Sequence, residues 1–80
     1  MSDEIFEQVK GVLGEVMNIA PEKVTIDSRF EEDLEIGSYD QILLVMALED
    51  DLGIEVSDDD AADLVTVGNA VEMVRRVRGE

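Results

Sequence analysis

The sequence predicts an all-α fold, and three observations carry that reading. Apolar residues recur at steps of three and four in separate stretches, the spacing of one helix face. A serine or threonine suited to capping stands at the head of each stretch. The one competing strand, Lys23 to Ile26, has no obvious partner strand in the chain. With 80 residues the chain has room for one hydrophobic core, so residues 1–80 are read as one domain.

The first helix is expected over about Ser2 to Met17. Ile5, Phe6, Val9, Val12, Leu13, Val16 and Met17 share its stripe, while Glu4, Glu7, Gln8 and Lys10 lie elsewhere. Ser2 is the expected cap, Asp3 and Glu4 suit the positive end, and Pro21 lies just beyond the point where the helix stops. Gly11 and Gly14 weaken its propensity slightly. From Asn18 to Gly37 no period is sustained, and a connection that long in a small domain is read as functional. Val24, Ile26, Phe30 and Leu34 are expected to pin it to the core, with a turn at Asp27-Ser28.

The second helix opens at Ser38, where Ser38-x-x-Gln41 has the form of a capping box behind Gly37, and it ends near Gly53. Its buried stripe is expected to be Ile42, Val45, Leu48 and Leu52. Leu43, Leu44 and Met46 then add apolar surface beyond one stripe, some of it available to a partner. Ser57 caps a short acidic turn through Asp58 to Asp63. Thr66 caps the last helix, which has Val67, Ala70, Val71, Val74 and Val77 on one face and Arg75, Arg76 and Arg78 at its negative end.

Composition removes several function classes. The chain has no Cys and no His, hence no disulfide, no thiolate or imidazole zinc site, and no Cys or Ser-His-Asp nucleophile. Six Lys+Arg against 21 Asp+Glu give a net charge of −15, which repels phosphate backbones and anionic lipid and attracts basic protein surfaces. Nucleic acid is therefore not an expected partner. The 45% hydrophobic content is too high for an acidic disordered tail. The acidic start Met1-Ser2-Asp3-Glu4 is unlike a signal peptide, and the longest apolar run, Ile42 to Leu48, falls far short of the roughly 20 residues of a spanning helix. A cytoplasmic protein without membrane insertion is expected. The clusters Glu31-Glu32-Asp33, Glu49-Asp50-Asp51 and Asp58-Asp59-Asp60 lack the alternating ligands, glycine and closing glutamate of a calcium loop, so no metal site is assigned. Weak divalent binding and plain solvated faces explain them equally well.

The stretch from Phe30 to Glu49 is more specific. Asp33-Leu34 precedes Ser38, Asp40 follows it by two places, and Leu44-Val45-Met46-Ala47-Leu48-Glu49 runs into Asp50-Asp51-Leu52-Gly53. This pattern resembles an acyl carrier protein. The likeness continues through Gly53-Ile54-Glu55-Val56-Ser57-Asp58-Asp59-Asp60-Ala61 and Thr66-Val67-Gly68, and so covers most of the chain. The resemblance implies a small four-helix bundle of acyl-carrier type, with a long first loop and a short third helix. It implies a non-catalytic carrier in which a phosphopantetheinyl transferase moves 4′-phosphopantetheine from coenzyme A onto Ser38. The arm's thiol would hold acyl groups as thioesters for fatty-acid, polyketide or related specialised biosynthesis. Without a histidine to activate Ser38, the transferase must supply base and metal.

The expected docking face is the start of the second helix, with Asp40, Glu49 and Asp50 as its charges and Val45 and Met46 as its apolar part. Its expected partners are the transferase and acyl-processing enzymes with basic docking surfaces, meeting a monomer. Two departures stand out: Gly37-Ser38-Tyr39 where the family has Asp-Ser-Leu, and Leu43 at a position that is usually acidic. Both remove negative charge from the partner face and point to a dedicated pathway, with neutral drift as the other explanation. A second function stays open, an unmodified carrier-fold protein acting as an acidic interaction module with Ser38 only a helix cap. The four methionines are expected to help form an adaptable core into which an acyl chain could fold.

Overall fold

The computed structural model describes residues 4–79. The expected cap Ser2 lies outside them. Helices α1 (Glu4–Met17), α2 (Ser38–Leu52), α3 (Asp58–Ala62) and α4 (Val67–Arg78) follow in order, with a 3₁₀ turn at Pro21–Lys23, and no strand occurs among the described residues. This is the small all-α bundle expected, with its long first loop and short third helix.

Helix α1 buries Ile5, Val9, Val12 and Leu13 against α2 and α4, and Phe6 and Met17 are half-buried. Val16 shares the stripe yet stays 43% exposed in the last turn, where Met17 is the residue packed against the core. Asn18, in the left-handed region at φ 57°, turns the chain out of α1, and the Ile19 N–H donates back to the Leu13 carbonyl at 3.3 Å.

The inner face of α2 is centred on Leu44 and Leu48, both fully buried, with Gln41, Val45 and Leu52 half-buried at its edges. The expected stripe is thus corrected at Ile42, which is 60% exposed. Two positions along a helix is about 200° around it, so burying Leu44 turns Ile42 to the outside. In an uninterrupted apolar run several stripes are equally apolar, and a polar anchor chooses between them: the Gln41 side-chain amide donates to the Leu64 carbonyl at 2.9 Å.

The long loop is pinned by Val24, Phe30 and Leu34 as expected, and also by Ile36, 2% exposed. Ile26 is not a peg; its side chain is 45% exposed. It is held through its backbone, because the Gly68 N–H donates to the Ile26 carbonyl at 2.9 Å. The same segment pairs antiparallel at Arg29 and Thr66, with Phe30 N–H to Val65 O at 3.0 Å and Val67 N–H to Ser28 O at 2.9 Å. The loop therefore has a backbone partner, the lead into α4, although it is a seam rather than the strand Lys23 to Ile26. The turn falls at Thr25–Ser28, closed by Ser28 N–H to Thr25 O at 3.1 Å. The buried Ser28 hydroxyl accepts the Thr25 N–H at 3.0 Å and donates to the Lys23 carbonyl at 3.1 Å.

Ser57 caps α3 by accepting the Asp60 N–H at 3.1 Å. Thr66 and Asn69 form a complete capping box on α4, Thr66 Oγ1 accepting the Asn69 N–H at 3.1 Å and Asn69 Oδ1 accepting the Thr66 N–H at 3.0 Å. Helix α4 buries Val67, Ala70, Val71, Met73 and Val74, while Val77, expected on that face, is 37% exposed. The core is aliphatic rather than rich in methionine: Met73 is buried, Met17 half-buried and Met46 57% exposed. Arg76 pairs with Asp60 and ties α4 to α3.

Candidate functional site

The lead-in to α2 is shaped by burial on alternate residues. Leu34 and Ile36 both turn inward, with the Ile36 N–H donating to the Phe30 carbonyl at 2.7 Å, and the residue between them takes up the bend. That residue is Glu35, exposed and left-handed at φ 56°. A β-carbon in this region strains the backbone, so the geometry holds only because the flanking core contacts impose it. Gly37 follows at φ −77° and ψ 179°, an ordinary extended conformation with open space around it.

Gly37, not Ser38, is the cap position of α2, and no side chain caps it. The expected capping box does not form, since Gln41 is engaged with Leu64. Ser38 is the first helical residue and is exposed, with its hydroxyl left out of capping. The cap-only reading of Ser38 falls with that observation. The first backbone bond of the helix runs from the Gln41 N–H to the Gly37 carbonyl at 2.9 Å, so the N–H groups of Ser38, Tyr39 and Asp40 stand ahead of it at the positive end of the helix dipole.

Beside Ser38 opens a cleft of roughly 400 Å³ between α2 and α3. Gln41, Ile42, Val45 and Met46 line one wall, and Asp58, Ala61 and Ala62 the other. The small side chains of α3 leave the space and the exposed rotation of α2 supplies its apolar lining. Of the site residues expected from sequence, Ser38, Val45 and Met46 meet in this cleft. Asp40 sits half-buried on the first turn of α2 and Asp50 is exposed near its end. Glu49 is half-buried, its carboxylate accepting the Val56 N–H at 2.9 Å, and so serves the α2–α3 connection. Ile42, Ala61 and Ala62 were missed. Ile42 was assigned to the wrong face, and the two alanines carry no pattern of their own until α3 is placed. No group of three or more His, Cys, Asp or Glu side chains able to hold a metal ion occurs among the described residues.

Ser38 thus presents an exposed hydroxyl at a helix start, beside an apolar cleft and in a chain with no His or Cys. A family model described as a phosphopantetheine attachment site matches residues 7–74, which contain α2, α3 and the cleft. The chain is 44% identical over 73 residues to an acyl carrier protein of Sulfurovum sp. (strain NBC37-1), covering 91% of this chain and 97% of that protein. It is also 44% identical over 73 residues to an acyl carrier protein of Lactobacillus johnsonii (strain CNCM I-12250 / La1 / NCC 533), covering 91% of each. The chain belongs to the acyl carrier protein family. Membership brings a covalently attached 4′-phosphopantetheine, and the residues present fit that group. A phosphate is accommodated at a helix start, Gly37 leaves the approach open, and the cleft offers apolar surface to whatever the arm carries.

Proposed function

We propose that Ser38 carries the 4′-phosphopantetheine arm and that the chain, as one domain over 1–80, holds acyl groups as thioesters on the arm's thiol. The observation that carries this reading is the exposed Ser38 hydroxyl, free of capping, at the mouth of the α2–α3 cleft. This chain supplies only the nucleophilic oxygen. That oxygen forms a bond to the phosphorus next to the pantetheine unit of coenzyme A, 3′,5′-ADP leaves, and the hydroxyl proton passes to a base of the phosphopantetheinyl transferase. Ile42, Val45, Met46, Ala61 and Ala62 shelter the near part of the acyl chain from water.

The partners in this reading are the transferase and acyl-processing enzymes of fatty-acid, polyketide or related biosynthesis. Their basic surfaces approach Asp40 and Asp50, with Val45 and Met46 as the apolar contact. Glu49 adds charge to that face while remaining bound to Val56. A monomer in the cytoplasm fits this role, and none of the described helices is long and apolar enough to cross a membrane.

The test is intact mass and peptide mapping after co-expression with phosphopantetheinyl transferases. One arm is expected, on Ser38. No arm is expected on Ser28, which is buried, or on Ser57, whose hydroxyl caps α3. Ser38→Ala is expected to abolish loading. An arm on another residue, or none with any of several transferases, overturns the reading and leaves the unmodified interaction module.

A further inference from the structure

Two spaces open beside α2, and Gln41 borders each of them. The first is the cleft at Ser38, roughly 400 Å³, walled by Ile42, Val45 and Met46 and by the alanines of α3. The second, roughly 190 Å³, lies where Arg29, Phe30 and Glu32 of the first loop meet Leu64 and Val65. Among the described residues Gln41 alone lines both. Its amide donates to the Leu64 carbonyl at 2.9 Å, so the side chain bridges from α2 to the segment that leaves α3 and closes the cleft on that side. We propose that Gln41 is a specificity-determining residue: it partitions the two spaces and limits the sheltered cargo to acyl chains that end within the cleft.

This rests on Ser38 carrying the arm and on the cleft taking the acyl chain. The tether then fixes the occupant, because the chain enters beside Ser38 and meets Gln41 one turn further along α2. Beyond Gln41 the surroundings change from mostly apolar to mixed: the buried Phe30 lies beside the Leu64 carbonyl and the Arg29–Glu32 ion pair, at 3.0 Å. For a hydrocarbon tail to pass, the Gln41 amide and the Leu64 carbonyl must separate, and the tail offers neither a donor nor an acceptor in return. Two polar groups left unpaired cost more than a few buried methylenes gain. The helix cannot turn the partition aside either, since the fully buried Leu44, three residues on, fixes the rotation of α2.

The experiment loads the full chain with a series of straight saturated acyl groups, using a transferase and the matching acyl-coenzyme A, and compares wild type with Gln41→Ala and Gln41→Leu. Melting midpoints are read against each variant's own unacylated, arm-bearing form, so a general loss of stability cancels. In the wild type the midpoint is expected to rise by about 3 °C per sheltered carbon and then level off. Gln41→Ala removes about four heavy atoms of the partition, so the level should move out by about three carbons or more. Gln41→Leu loses the same hydrogen bond but keeps the bulk, and should level off with the wild type. The amide signals of Phe30 and Val65 should stay fixed in the wild type at every chain length, and shift in Gln41→Ala once the chain outgrows the cleft. If Gln41→Ala does not fold, Gln41→Ser takes its place. A breakpoint at the same carbon number in wild type and the small variant overturns the proposal, as does an equal displacement in Gln41→Leu or a wild-type shift at Phe30. A midpoint that no acyl group raises overturns the sheltering role as well, and unmodified mass overturns the Ser38 reading itself.

Discussion

Ser38-x-x-Gln41 and Thr66-x-x-Asn69 are two versions of one local pattern, and only the second does what the pattern describes. At α4 both reciprocal bonds form, Thr66 is pinned by the seam, and five residues behind it are buried. At α2 the helix starts one residue earlier than the pattern implies, Gln41 turns away to the Leu64 carbonyl, and only Leu44 and Leu48 are fully buried. Tertiary competition for one side chain separates the two. Helix α4 spends its polar chemistry on its own stability. Helix α2 is held by a remote amide, and its first hydroxyl stays in solvent.

The sharpest way to break this comparison lies in the rotation of α2. Leu48→Ala is expected to cost about 2–5 kcal/mol in denaturant unfolding, whereas Ile42→Ala should change stability by no more than about 0.5 kcal/mol. Equal costs would mean that α2 is not rotated as described. Next come the caps themselves. Thr66→Ala should lower stability by about 1 kcal/mol, and Ser38→Ala should leave the melting midpoint unchanged while removing the proposed loading site. If Ser38→Ala destabilises as much as Thr66→Ala, the hydroxyl is a cap after all. The smallest effect concerns the approach to α2. Glu35→Gly should raise stability by up to about 1 kcal/mol, since glycine relieves the left-handed strain and pays back part of it in unfolded-state entropy. A melting point that falls instead would show that the Glu35 side chain is itself anchored.

How much was legible follows the range of the interactions involved. Helix α4 could be read almost entirely, because its stripe and its Thr66 cap are local. Only the exchange of Val77 for Met73 at its inner face escaped. The span of α2 was legible from Ser38 to Gly53, where the left-handed glycine at φ 63° ends it. Its rotation was not, because Ile42 to Leu48 is apolar in every direction and the choice belongs to a hydrogen bond with residue 64. In the loop, Val24, Phe30 and Leu34 were visible as isolated apolar residues among polar ones. Ile36 and the seam were not, since pairing with a distant backbone leaves no periodic trace. The candidate attachment serine was found through its motif, while its capping pattern pointed to a role it does not have. The cleft became visible only when α3 was placed across from α2.

The seam between residues 26–30 and 65–68 also governs the order of events in folding. Closing a loop of roughly forty residues costs about 3 kcal/mol of chain entropy, so these contacts are expected to form after the helices have docked. Substitutions there should quicken unfolding and scarcely slow folding. Gly68→Ala is the plainest case, because an added Cβ would lie 3.0 Å from Ile26 Cγ2 and 3.1 Å from the Ile26 carbonyl oxygen. In hydrogen exchange the amides of Phe30, Val67 and Gly68 should open ahead of those of Val9 and Leu13; simultaneous opening would make the seam part of the global unfolding unit. A chain stopped just before that closure would own its helices and much of its core. It would still lack a fixed path from Phe30 to Gly37, and Ser38 would wander on a tether, a poor target for the transferase of the proposed function.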